Sequence, residues 1–102
     1  MSILYVAEFS DIQRHSNSVG GVPVGPPLRT QTVAFTGTAG TIANALGTDC
    51  YLVQISTDGN AAVAMGSAPT AVATDMHVPA NVPQYLAVNP ADLLKVSAKA
   101  VT

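Results

Sequence analysis

Hydrophobic and polar positions alternate with a period of two in several short runs, and no stretch sustains the 3.6-residue period of a helix. The clearest run lies between Asp49 and Met65. Tyr51, Val53 and Ile55 alternate there with Leu52, Gln54 and Ser56, residues suited to a pleated, half-buried surface. Asp58-Gly59 interrupts it and a second apolar run, Ala61 to Met65, follows. A two-residue Asp-Gly connection favours a type I′ turn, so the pattern predicts a central β-hairpin here. Ile3 to Phe9 is also a predicted strand, with Ile3, Tyr5, Ala7 and Phe9 on one face and Leu4, Val6 and Glu8 on the other. Both of its faces are largely apolar, which fits a strand covered on two sides, by its own fold or by a neighbour.

Further strands are predicted at Arg29 to Thr36, Met76 to Pro79, Gln84 to Val88 and Leu93 to Ala100. In the first of these Thr30, Thr32, Ala34 and Thr36 share a polar-leaning face. In the last, Leu94, Val96 and Ala98 alternate with Lys95, Ser97 and Lys99, the pattern of a half-exposed strand. Thr41 to Leu46 reads as a helical turn or another strand, and Gly66 to Asp75 as a loop or loosely paired edge. Asn89-Pro90-Ala91-Asp92 is a turn signal, because Asn favours the first turn position and Pro presets φ at the next. Seven or eight short strands at this spacing predict an all-β fold: a single-domain antiparallel sandwich, jelly-roll-like, with an open barrel as second choice.

The stretch from Ser18 to Leu28 carries Gly20-Gly21, Pro23, Gly25 and Pro26-Pro27, which disfavour both helix and internal strand. Residues 1–27 are therefore a candidate extended N-terminal arm on the 1–102 domain. Its strand either pairs with a neighbouring subunit, as exchanged arms do, or returns to its own sheet. Apolarity and position single out Ile3, Tyr5, Phe9, Val19, Val22, Val24 and Leu28 as candidate protein-contact residues.

Composition narrows the function classes. The chain has 102 residues, enough for one core, with 48% apolar residues and only 10% charged. A surface so poor in charge suits contact with other protein surfaces, and an oligomer is expected. The formal charge is −2, and Arg14, Arg29, Lys95 and Lys99 form no basic stripe, so no nucleic acid partner is expected. No apolar run approaches a membrane span, and the N-terminus lacks the pattern of a signal peptide, which leads to an expectation of synthesis and retention in the cytoplasm.

No residue pattern declares a reaction. Cys50, the single cysteine, permits no intrachain disulfide and reads as a small buried hydrophobe at the start of a central strand. The acidic residues Glu8, Asp11, Asp49, Asp58, Asp75 and Asp92 fall mostly at turns or strand ends, where carboxylates support turn geometry. Nothing favours the facing pair that a glycosidase needs. His15 and His77 are too few for a zinc site, and His77 should be more exposed than Met76 and Val78. The glycines lack the setting of a phosphate loop and the serines that of a nucleophile elbow. The expectation is a protein without catalytic residues, cofactor or metal.

The N-terminal YVAEFSDIQ, the PPLRTQTVAF segment and the run from Thr48 to Ala98 carry a broader pattern. It comprises Gly66-Ser67-Ala68-Pro69-Thr70-Ala71 after the central apolar run, then Met76-His77-Val78-Pro79, Gln84-Tyr85-Leu86 and Lys95-Val96. This arrangement resembles a group of small all-β virion proteins encoded among the head and structural genes of tailed bacteriophages and prophages. The resemblance implies a virion component made in the host bacterial cytoplasm, such as a capsid decoration or cementing protein bound to the major capsid protein. It implies association with itself as well, a trimer being favoured over other small rings. The alternative is a tail- or fibre-associated module that binds a surface sugar. The resemblance brings no active-site residue with it.

Overall fold

A computed structural model of the chain describes residues 2–10, 12–13, 22–23 and 26–101. Among the described residues ten strands run β1 (Ser2–Phe9), β2 (Ile12–Gln13), β3 (Val22–Pro23), β4 (Arg29–Phe35), β5 (Gly40–Thr41), β6 (Leu52–Thr57), β7 (Ala61–Gly66), β8 (Met76–Val78), β9 (Gln84–Ala87) and β10 (Lys95–Ala100), with a 3₁₀ turn at Pro90–Asp92. Two four-stranded antiparallel sheets face each other. The first has the order β4-β1-β6-β9, the second β5-β10-β7-β8, and β2 and β3 form a separate two-stranded ladder. This is a β-sandwich, as the strand spacing predicts.

The topology is that of a jelly roll with one substitution. Followed from β4 through β10 and closed on β1, the strands alternate between the sheets in the order of an eight-stranded jelly roll. The strand that would close such a chain is supplied here by β1, which sits between β4 and β6 of its own sheet. The two ends are brought together at one corner. Ile3 N–H donates to Asp58 Oδ1 at 2.7 Å, and Val101 N–H donates to the Asn60 carbonyl at 3.1 Å.

Period-two alternation fills the layer between the sheets. Leu4 and Val6 from β1, Val53 and Ile55 from β6 and Phe35 from β4 meet Ala61 and Val63 from β7, Val78 from β8 and Val96 and Ala98 from β10. Ile42, Leu46 and Cys50 close the layer from the β5–β6 connection, which continues as irregular chain after two strand residues. At about 25 cal/mol per Å² of apolar area, burial of these side chains is the main drive toward the compact state.

Three sequence expectations change. The Asp49–Met65 stretch is not a hairpin: β6 pairs with β1 and β9 while β7 pairs with β10 and β8, so Asp58-Gly59-Asn60 arches from one sheet to the other. Gly59 does not take the positive φ of a type I′ turn. Side chains hold the arch, Asp58 through Ile3 and Asn60 through Oδ1, which accepts from Ala80 N–H at 2.9 Å. Alternation fits either geometry, since an arch places the inward residues of its two strands face to face across the core.

Gly66 to Asp75 runs on from β7 as a loop, the first of its two readings, and not as an edge. It straps the outward side of the second sheet, with Ala71 N–H donating to Ser97 Oγ at 3.0 Å and Thr41 Oγ1 to the Pro69 carbonyl at 3.2 Å. The last strand is consequently covered on both sides around Ser97, which is fully buried, rather than half-exposed. The Pro/Gly-rich stretch does contain a short ladder, Ile12 opposite Pro23 and Gln13 opposite Val22, with Pro in a two-residue strand that asks little of the ladder.

Candidate functional site

Alternation along β1 turns Glu8 inward with Leu4 and Val6, which takes its carboxylate out of water; such a group needs donors around it. The register supplies the first, because Arg29 of β4 lies directly opposite. Its Nε donates to Glu8 Oε2 at 3.3 Å and its Nη2 to Oε1 at 3.2 Å, and Gly47 N–H donates to Oε1 at 2.8 Å. Arg29 Nη2 also donates to Asp49 Oδ1. The Glu8 side chain is 1% exposed and that of Arg29 46%. A side chain at position 47 would collide with the guanidinium, so glycine permits the close approach. The hydrogen bond to Asp49 first, and then that to Glu8, raise the Arg29 pKa well above its ordinary range. The hydrogen bond from Arg29 lowers the Asp49 pKa in turn. Both carboxylates are occupied by one guanidinium, and Glu8 is closed to solvent. The arrangement fastens β1 to β4 and to the Gly47–Asp49 turn. Cys50 is buried beside it, its thiol pKa raised by burial and then by the Glu8 charge.

On the opposite side of the same sheet large side chains are exposed. Strand register places Ile3, Tyr5, Ala7 and Phe9 of β1 in rows with Thr30, Thr32 and Ala34 of β4, Leu52, Gln54 and Ser56 of β6, and Tyr85 and Ala87 of β9. Leu28 continues the Phe9 row. Among the described residues only Asp58, paired with Ile3 at one end, brings a charge to the rim of this face. Tyr5 is 46% exposed, Tyr85 51% and Leu28 37%, and Gln54 Nε2 donates to Tyr85 Oη at 2.9 Å. Phe9 and Leu52, at one end, are buried. The other described charges lie elsewhere: Asp75 in the strap accepting Val72 N–H at 2.8 Å, Asp92 in the 3₁₀ turn, and Lys95 and Lys99 on the outward side of β10.

Two shallow depressions mark the described surface. One of about 320 Å³ is lined by Asn60, Ala61, His77, Val78, Pro79 and Val101, the other of about 400 Å³ by Thr48, Tyr51, Asn89, Pro90 and Ala91. Neither joins two titratable side chains. His77 is exposed, as its position in β8 predicts, and its ring nitrogen lies 3.0 Å from the Ala73 carbonyl. Met76, read as the more buried neighbour, is itself 41% exposed. Among the described residues no three His, Cys, Asp or Glu side chains gather as a metal site would require.

Of the candidate contact residues, Ile3, Tyr5, Phe9 and Leu28 come together on the outward face of the first sheet. Val22 is placed only as part of the β3 ladder, and Val19 and Val24 lie outside the described residues. Tyr85, Gln54, Thr30 and Thr32 join the face unforeseen. The alternation of Thr30, Thr32 and Ala34 was legible, but sharing a face with Tyr5 depends on β4 and β1 being neighbours. Comparison with protein-family models, curated proteins and solved structures finds no match.

Proposed function

We propose that this chain is a non-enzymatic structural protein of a tailed-phage or prophage virion, a decoration or cementing protein that binds the head lattice as a small oligomer. The observation that carries the reading is the outward face of the first sheet, whose described residues are uncharged apart from Asp58 at one end and include exposed Tyr5, Tyr85 and Leu28. Tyrosine and uncharged side chains favour contact with protein, since they bring area without the cost of stripping water from ions. The resemblance of YVAEFSDIQ, PPLRTQTVAF and the Thr48–Ala98 run to phage virion proteins supplies the setting. The test is sedimentation of the purified protein with empty heads of the same phage or prophage. Co-sedimentation and a higher head disruption temperature are the expected results; neither occurring refutes the reading.

A second reading, a carbohydrate-binding module at a tail or fibre, has one observation of its own. Tyr51 is 58% exposed beside the depression that it shares with Thr48 and Asn89. An aromatic ring next to hydroxyl and amide groups suits the flat, hydroxyl-rimmed face of a sugar. A glycan array without hits would dispose of it.

A further inference from the structure

We propose that the outward face of the first sheet binds the same face of a second copy of this chain, pairing two molecules about a two-fold axis. The inference rests on reading that face as a protein-contact surface, and it names the partner.

The first argument is charge. Apart from Asp58, at its Ile3 end, every described charged residue lies off this face, so nothing along it attracts nucleic acid, an acidic peptide or a charged membrane. A partner presenting ions would have them desolvated without a counter-charge. A neutral face is the match, and this chain carries one. Two-fold pairing also brings like groups together, which is unfavourable for ions but harmless for side chains that both donate and accept. Thr30, Thr32, Ser56, Gln54 and Tyr85 are all of that kind, so reciprocal hydrogen bonds across the axis can be satisfied.

The second argument is area. Six residue steps from Ile3 to Phe9 at about 3.3 Å span roughly 20 Å, and four strands about 4.8 Å apart span roughly 15–20 Å with side chains. Two such faces cover about 600–800 Å² in total, at the small end for protein contacts, so the pairing is expected to be weak and to depend on concentration. The third argument is that the other sheet is taken. The strap from Gly66 to Asp75 crosses its outward side, whereas no described segment straps the first sheet in this way. Face-to-face stacking yields pairs, not the ring of three that the family resemblance favours.

The experiment is sedimentation equilibrium of the full chain over a concentration series, with Thr32→Glu and Tyr85→Glu as variants and Thr70→Glu in the strap as control. Melting curves confirm that each variant is folded. Wild type and T70E should associate to dimers, with T32E and Y85E weakened at least about tenfold by two facing carboxylates in a neutral contact. A wild type that stays monomeric, a trimer, or a dimer indifferent to both face variants overturns the proposal. Head sedimentation run alongside separates the two claims. A dimer that ignores heads refutes only the virion reading. A monomer that sediments with heads, and loses this on T32E, refutes only the pairing.

Discussion

Removing the Glu8 carboxylate should unfasten β1, and the cost can be worked from its neighbours. In Glu8→Ala the Gly47 N–H loses its partner inside the protein, a penalty of about 1–3 kcal/mol. The missing methylenes and carboxylate leave a cavity costing about 1–2 kcal/mol more. Arg29 adds little, because its half-exposed guanidinium keeps Asp49 and water. Relief of the buried charge offsets part of this, leaving a net loss of about 2–4 kcal/mol from a total of about 5–15. That corresponds to a fall in Tm of roughly 10–25 °C. Glu8→Gln fills the same space and still accepts from Gly47, so its loss should be about 1 kcal/mol. Urea unfolding followed by far-UV circular dichroism and tyrosine fluorescence, in a chain without tryptophan, reads both variants. A Glu8→Ala protein within 1 kcal/mol of wild type, or one more stable than Glu8→Gln, would refute the account of Glu8 as a fastener.

Three further outcomes follow from single contacts. Asp49 releases its proton more readily when folded than unfolded, so its contribution is present above the ordinary aspartate range and lost as pH falls through the depressed folded value. Asp49→Asn should therefore flatten the acid limb of a Tm-versus-pH curve below about pH 4, and parallel limbs would contradict this. Thr57 Oγ1 is buried opposite Leu4 and has no partner among the described residues. Thr57→Val keeps the shape and removes the stranded hydroxyl, and should raise stability by about 1 kcal/mol in the same urea assay. A Cβ at Gly40 would run into the Ala34 carbonyl oxygen, main chain that cannot swing away, whereas one at Gly66 meets nothing within 4 Å. Gly40→Ala should lose about 1–3 kcal/mol and Gly66→Ala less than about 0.5; equal losses would place the strain elsewhere.

The strands and fold class could be read from the sequence because alternation is a local signal. β1, β4, β6 and β10 lie within a residue or two of where period two puts them. What alternation does not encode is which sheet a strand joins. Asp58-Gly59 has the residues of a hairpin turn, yet the chain arches there and sets Val53 and Ile55 across the core from Ala61 and Val63. The ion cluster was hidden for the same reason. Glu8, Arg29, Gly47 and Asp49 span forty positions, and only the β1–β4 register and the return of the chain at Gly47 join them.

β1 and β10 show where hydrophobic pattern and actual cover part company. β10 presents Lys95, Ser97 and Lys99 outward, a polar side that could stand in water, and the strap closes over Ser97. β1 presents Ile3, Tyr5, Ala7 and Phe9 outward, a side with nothing to gain from water, and Tyr5 stays nearly half exposed. A strand apolar on both faces is the pattern of an element buried on both. Leu4 and Val6 on one side of β1 are buried, and on the other side Phe9 is buried while Tyr5 is not. The remainder, from Tyr5 across Thr32 to Tyr85, has the composition of a contact still to be made. Its lack of charge makes a second copy a fitting partner, and Thr32→Glu, exposed and remote from the core, is the change that separates contact from fold.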